Sequence, residues 1–237
     1  KDVEYMSNVK MEVGQKFPLT IKRLGINGEG VGFYKRNVVF VKGALPGEEV
    51  TVKLTKVQNN FAEAEILNIR RASEDRIEPP CSVYAECGGC QLQHMTYEAQ
   101  LRNKRDIVMQ ALEKYLPEQA DKLEVRPTIG MENPWNYRNK SSFQVRKEGK
   151  RVYAGLFAEG SHQLININNC LVQHPLTSKI TVGVRKILQK LNIPIYDGKT
   201  LNGLVRTIVV RTGLQTGETQ VCLVTTRKDL PHKEELI

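Results

Sequence analysis

The chain has 237 residues, 40% hydrophobic and 26% charged, with 35 Lys and Arg against 26 Asp and Glu and a formal net charge of +9. That length suits one large or two modest domains, and the composition is that of a globular protein without a membrane-spanning apolar run. Five cysteines, three of them clustered, fit a reducing compartment and metal ligation better than a disulfide framework. The polar start Lys-Asp-Val-Glu-Tyr gives no sign of a signal peptide. The positive charge favours a polyanionic partner, most simply RNA or DNA.

Residues 1–15 read as a polar, flexible lead-in. Residues 16–70 read as all-β, with strands predicted at Lys16–Lys22, Asn37–Lys42, Glu49–Leu54 and Phe61–Leu67. Short strands separated by Gly and Pro turns point to a small barrel, which closes on itself and leaves no bare edge. The run Gly25-Ile-Asn-Gly-Glu-Gly-Val-Gly32 is turn chemistry rather than a phosphate cradle, because neither a Lys-Ser/Thr pair nor a helix follows it. Lys22, Arg23, Lys35, Arg36, Lys42, Lys53 and Lys56 lie among Phe33, Tyr34, Phe40 and Phe61. Cations for phosphates and rings for unstacked bases are what single-stranded RNA requires. The plainer reading is a solvated face over core aromatics, and Phe17 and Phe40 are assigned to the core.

Residues 71–95 form an irregular segment carrying Cys81-Ser-Val-Tyr-Ala-Glu-Cys87-Gly-Gly-Cys90. The Gly-Gly step lets the backbone fold back so that three thiolates aim at one point. A fourth thiolate closes an all-sulfur site, suited to an iron–sulfur cluster or a zinc ion. Cys170 is preferred for that place because it follows the polar loop Asn166-Ile-Asn-Asn169, where a sulfur can point outward. Cys222 lies mid-strand among apolar residues and is assigned to the core. None of the four histidines shows zinc-motif spacing.

A helix is predicted over about Thr96 to Leu116, with Leu101, Val108, Leu112 and Tyr115 on one face and Pro117 as its stop. Strands follow at Arg138–Arg146, Arg151–Phe157 and Gln163–Ile167, then a helix at Pro175–Leu191 and strands at Val205–Arg211 and Thr219–Thr225. Two hairpins and two helices make 71–237 a central α+β domain. Within it, Trp135-Asn-Tyr-Arg-Asn-Lys140 gathers rings, cations and amides. Tyr137, Arg138 and Lys140 are candidate RNA contacts; the alternative is a strand anchor that turns a corner. The C-terminal Pro231-His-Lys-Glu-Glu-Leu-Ile237 reads as the opening of a helix.

The order of parts resembles the RNA (uracil-5-)-methyltransferase family, specifically the bacterial 23S ribosomal RNA enzymes. A basic barrel comes first, then C-x5-C-G-G-C with Gln91-Leu-Gln-His94, Tyr137-Arg-Asn-Lys140, Gly155-Leu-Phe157, Ser161-His162 and Cys170. The resemblance implies that the barrel is a TRAM domain, an OB-like RNA-binding fold. It also implies that Cys81, Cys87, Cys90 and Cys170 hold a [4Fe–4S] cluster. It implies a Rossmann-like domain that binds S-adenosylmethionine and carries the catalytic cysteine and base, expected outside this chain. No catalytic residue is therefore assigned here, and the fragment alone is expected to bind RNA without transferring methyl. The expected partner is 23S rRNA, with neither DNA nor a membrane, and the chain is expected to be a cytoplasmic monomer. Transfer RNA as substrate and a stand-alone, ribosome-associated metal-binding module are the alternatives. A radical methylthiotransferase fits less well, because its cluster motif reads C-x3-C-x2-C and its barrel comes last.

Overall fold

The computed structural model describes residues 11–236, so most of the expected lead-in (residues 1–10) lies outside the described residues. Residues 11–15 are not loose. Met11 is buried in the barrel core, and Gly14 and Gln15 exchange backbone bonds with Leu54.

The chain divides into two compact units. The first is Lys1–Pro79 with Gln91–Gly130; the second is Pro80–Cys90 with Met131–Ile237. A single cut near residue 70 therefore does not describe them: the segment 91–130 groups with the barrel.

In the first unit, β1 (Lys16–Leu24), β2 (Gly30–Tyr34), β3 (Asn37–Val41), β4 (Glu49–Val57) and β5 (Phe61–Arg71) form a closed barrel in the order β1-β2-β3-β5-β4. All neighbours are antiparallel except β3 and β5, which run parallel with Val38 opposite Phe61. Alternation in β1 and β4 drives the inward set, so that Phe17, Leu19, Ile21, Val50, Val52 and Leu54 fill the core with Val39, Val41 and Ala62. The glycine run has two jobs. Gly25 to Glu29 make the turn, while Gly32 sits in the barrel wall, where a Cβ would lie 2.7 Å from Leu19 Cγ and 2.9 Å from the Thr20 carbonyl oxygen. Phe40 is only half-buried, because its ring meets that of Phe61 edge-on at 5.6 Å instead of entering the core.

Helix α1 (Tyr97–Tyr115) lies close to its predicted bounds. Its expected apolar face is not a core face. Val108 and Tyr115 are 48% and 71% exposed, and the buried residue is Ala99, which joins Leu24, Leu45 and Met95 in a small cluster. A short 3-10 turn follows at Ala120–Lys122.

In the second unit, β6 (Lys140–Glu148), β7 (Arg151–Phe157), β8 (Leu164–Asn166), β9 (Val205–Thr212) and β10 (Thr219–Thr225) make an antiparallel sheet in the order β10-β9-β6-β7-β8. Helix α2 (Pro175–Lys190) starts at His174, whose ring accepts from the Leu176 N–H at 3.3 Å, with Pro175 in the first helical turn. It packs on β6, β7 and β9 around Phe143, Val145, Leu188, Ile208 and Val210. Helix α3 (Lys233–Leu236) is a single turn. Among the described residues no helix is long and apolar enough to cross a membrane.

Candidate functional site

The candidate cations of the barrel are presented by two departures from regular strand geometry. β1 shifts register between Ile21, opposite Gly32, and Arg23, opposite Val31. The extra residue breaks the alternation, so Lys22 and Arg23 are consecutive and both exposed between buried Ile21 and Leu24. The β2–β3 turn has two residues, Lys35 at φ 48° and Arg36 at φ 70°. Left-handed pairs of this kind match hairpin twist but favour Asn and Gly, so two long cations are held there at a conformational cost. Phe33 beside the turn is 49% exposed, and the Lys35 ammonium lies 5.4 Å from the Tyr34 ring centroid. Lys53 and Lys56, by contrast, pair with Glu65 at 3.1 Å and Glu63 at 2.9 Å across β4 and β5. Those two are consumed by the barrel's own carboxylates.

Tyr137, Arg138 and Lys140 are all exposed in the second unit. Their stretch is pinned by its backbone. Asn136 stands at φ 56° and its N–H donates to the Leu171 carbonyl at 2.8 Å; the Arg138 N–H donates to Val172, and the His174 N–H donates back to Arg138. With its amide turned so that the nitrogen faces them, Asn136 donates to the carbonyls of Leu171 and Gln173 at 3.2 and 2.9 Å.

The same loop serves Cys170. The Gln173 N–H donates to the Cys170 carbonyl at 3.1 Å, and burial and the neighbouring thiols of Cys90 and Cys81 push the Cys170 thiol's pKa up, opposed by the Val172 and Gln173 N–H groups. Cys87 is likewise pushed up by burial, helped by Cys90 and Cys81 and opposed by the Gly89 N–H, which donates to its sulfur at 3.4 Å. The Gly88 N–H ties the cysteine loop to the Phe157 carbonyl at 3.2 Å. All four thiols are half-buried and free of disulfides. Cys170 packs with Cys87 against the second unit's core, not outward as its polar loop suggests.

Among the described residues no group of three or more His, Cys, Asp or Glu side chains is arranged to hold a metal ion. The expected site at Cys81, Cys87, Cys90 and Cys170 is thus not preformed as a closed coordination shell. Its donor chemistry still fits an all-thiolate centre: Cys87 and Cys170 each feel the thiols of Cys81 and Cys90, and the Gly89 N–H is directed at the Cys87 sulfur. Cys222, assigned to the core, is exposed on β10, because β10 is an edge strand.

Sequence reading missed the polar junction of the first unit. Glu48 is 0% exposed and accepts from Arg76 Nε at 2.6 Å, Arg76 Nη2 at 2.8 Å, Leu45 N–H at 2.9 Å and Ser73 N–H at 3.3 Å. Arg76 also donates to the Gly43 carbonyl at 2.7 Å. Nothing local in Leu45-Pro-Gly-Glu48 signals a buried carboxylate, since its partner lies 28 residues on.

Residues 10–67 match the model of the TRAM domain. The chain is 58% identical over 228 residues to a protein of Bacillus anthracis named as an uncharacterized RNA methyltransferase, covering 96% of this chain and 50% of that protein. It is 55% identical over 231 residues to another so named in Halalkalibacterium halodurans, covering 98% and 50%. The chain thus spans about half the length of the curated relatives it matches. Its fold is similar to that of the Pyrococcus abyssi tRNA (uracil-54, C5)-methyltransferase, solved with S-adenosyl-L-homocysteine. The TM-score is 0.64 at 23% identity, covering 92% of this chain and 48% of that one.

Proposed function

We propose that this chain is the RNA-recognition part of an S-adenosylmethionine-dependent RNA (uracil-C5)-methyltransferase acting on 23S ribosomal RNA. The observation that carries the reading is the TRAM match over the barrel, whose bulge and hairpin tip present Lys22, Arg23, Lys35 and Arg36 to solvent. Likeness to RNA methyltransferases along nearly the whole chain supports it. Exposed cations and half-exposed rings bind and orient a single strand: ammonium and guanidinium groups hold phosphates, and rings receive splayed bases.

Methyl transfer belongs, in this reading, to residues outside the chain. A thiolate adds to C6 of uracil, C5 takes the methyl group from the sulfonium donor, and a base removes the C5 proton as the thiolate leaves. The residues here position the uridine for that chemistry. Cys81, Cys87, Cys90 and Cys170 would hold a [4Fe–4S] cluster, which would supply folding energy to a loop with little core of its own.

Incubation with labelled S-adenosylmethionine and either 23S rRNA or transfer RNA tests the assignment. The longer protein is expected to form 5-methyluridine in 23S rRNA, and the 237-residue chain to bind that RNA without transferring methyl. Methylation of transfer RNA alone overturns the ribosomal assignment, and transfer to neither RNA overturns the enzyme. Iron and acid-labile sulfide measured after anaerobic purification test the cluster. Cys87→Ser is expected to lose both, whereas an iron-free, well-folded wild type contradicts the assignment.

A further inference from the structure

The sheet of the second unit carries α2 on one face. Its register fixes which side chains share the other. Lys140 stands opposite Arg211, Ser142 opposite Val209, Gln144 opposite Thr207 and Gly155, and Arg146 opposite Tyr153. Directly opposed residues point to the same side. This face therefore carries Lys140, Arg211 and Arg146 with Ser142, Gln144 and Tyr153, while Phe143, Val145, Ile208 and Val210 fill the core beneath α2. The Arg146 guanidinium carbon lies 5.4 Å from the Phe157 ring centroid, and both that ring and Tyr153 are half-buried.

Lys140 against Arg211 is an anomaly. Like charges directly opposed across a sheet are destabilising. Both side chains are exposed, and neither has a carboxylate partner among the described residues. At the far end of β6 the charges are complementary, with Glu148 opposite Arg151. A repulsive pair beside exposed Arg138 and the Arg146–Phe157 stack is what a polyanion with planar groups complements.

We infer that the face of the five-stranded sheet opposite α2 is a second single-stranded RNA-binding surface, separate from the barrel. Lys140 and Arg211 jointly hold one phosphate region there, and Phe157 with Arg146 offers a stacking platform for an adjacent base. The inference rests on the RNA-recognition reading and extends it to residues that lie far apart in sequence.

The test uses the full chain and a fluorescent single-stranded RNA of mixed sequence, titrated by anisotropy at several salt concentrations. K140Q/R211Q is expected to weaken binding by tenfold or more. The slope of log affinity against log salt should fall in magnitude by about 0.7 for each phosphate that the variant no longer neutralises. Its melting temperature should stay the same or rise, because a repulsion has been removed. Phe157→Ala should weaken single-stranded RNA by about tenfold and leave duplex RNA of the same sequence unaffected. K35Q/R36Q, in the barrel, is the reference. If it weakens binding while K140Q/R211Q leaves affinity and salt slope unchanged, the sheet surface is overturned and RNA recognition stands. If the wild-type chain binds no RNA at all, both fall together.

Discussion

Glu48 is fully buried, and burial by itself raises a carboxyl's pKa. Here Arg76 and the backbone N–H groups of Leu45 and Ser73 outweigh that effect and hold it below the ordinary range. Removing the partner leaves an uncompensated buried charge. Arg76→Ala is expected to cost about 3–5 kcal/mol in urea denaturation; a loss under about 1 kcal/mol, the scale of an exposed pair, would show that the junction is solvated. His94 is buried nearby and is kept neutral by burial and then by the charge of Arg76, against the opposing pull of Glu48. Both folded pKa values lie below their unfolded ones. Stability from each is complete above the unfolded pKa and is lost as pH falls toward the folded one. Stability is therefore expected to hold between about pH 7 and 8 and to decline progressively on acidification, first through His94 and then through Glu48. A midpoint in urea that rises as pH falls would contradict this sign. Glu48 was not conspicuous in the sequence, because a buried carboxylate is recognised by its partner and not by its neighbours.

At the scale of elements, the barrel and the sheet are set by inward alternation, and their tolerance to change follows from how closely strands approach. Gly32→Ala pushes a methyl group against Leu19 and the Thr20 carbonyl within the closed barrel wall. Overpacking of this kind is expected to cost about 1–3 kcal/mol, read as a lower urea midpoint with the barrel's β signature retained; an unchanged midpoint would mean the wall yields. Phe143 is fully buried on β6 at the centre of the second unit's core. Phe143→Ala is expected to cost about 3–5 kcal/mol. The period-two pattern made the strands of both units legible except β2, whose Gly30-Val-Gly32 start is buried without alternation and reads as a turn; elsewhere burial on one face is written into each segment. Helix α1 was legible in extent from its stop at Pro117 but not in orientation. Its apolar residues Val108 and Tyr115 stay exposed because the available contact is a small cluster that takes only Ala99. Cys222 failed for a related reason: apolar neighbours along a strand say nothing about whether it ends up central or at an edge.

At the scale of the whole molecule, a net charge of +9 gives the field that draws a polyanion. Affinity for single-stranded RNA is expected to drop by about tenfold or more between about 50 and 200 mM salt, through counterion release. An affinity flat over that range would mean the surplus charge is not in the interface. Net charge does not say which cations are available. Lys53, Lys56 and Arg71 pair with Glu65, Glu63 and Glu49, whereas Lys22, Arg23 and Arg211 are exposed and in no such pair among the described residues. Sequence by itself determined the barrel strands other than β2, the two-hairpin α+β layout, the clustered thiols and the basic character, because each is encoded in spacing or composition within a few residues. Only the tertiary structure decided that the loop at 171–174 braces the Asn136–Arg138 backbone, that Glu48 meets Arg76, and that Lys140 faces Arg211. Those pairings depend on strand register and chain return over tens of residues, which no local pattern specifies.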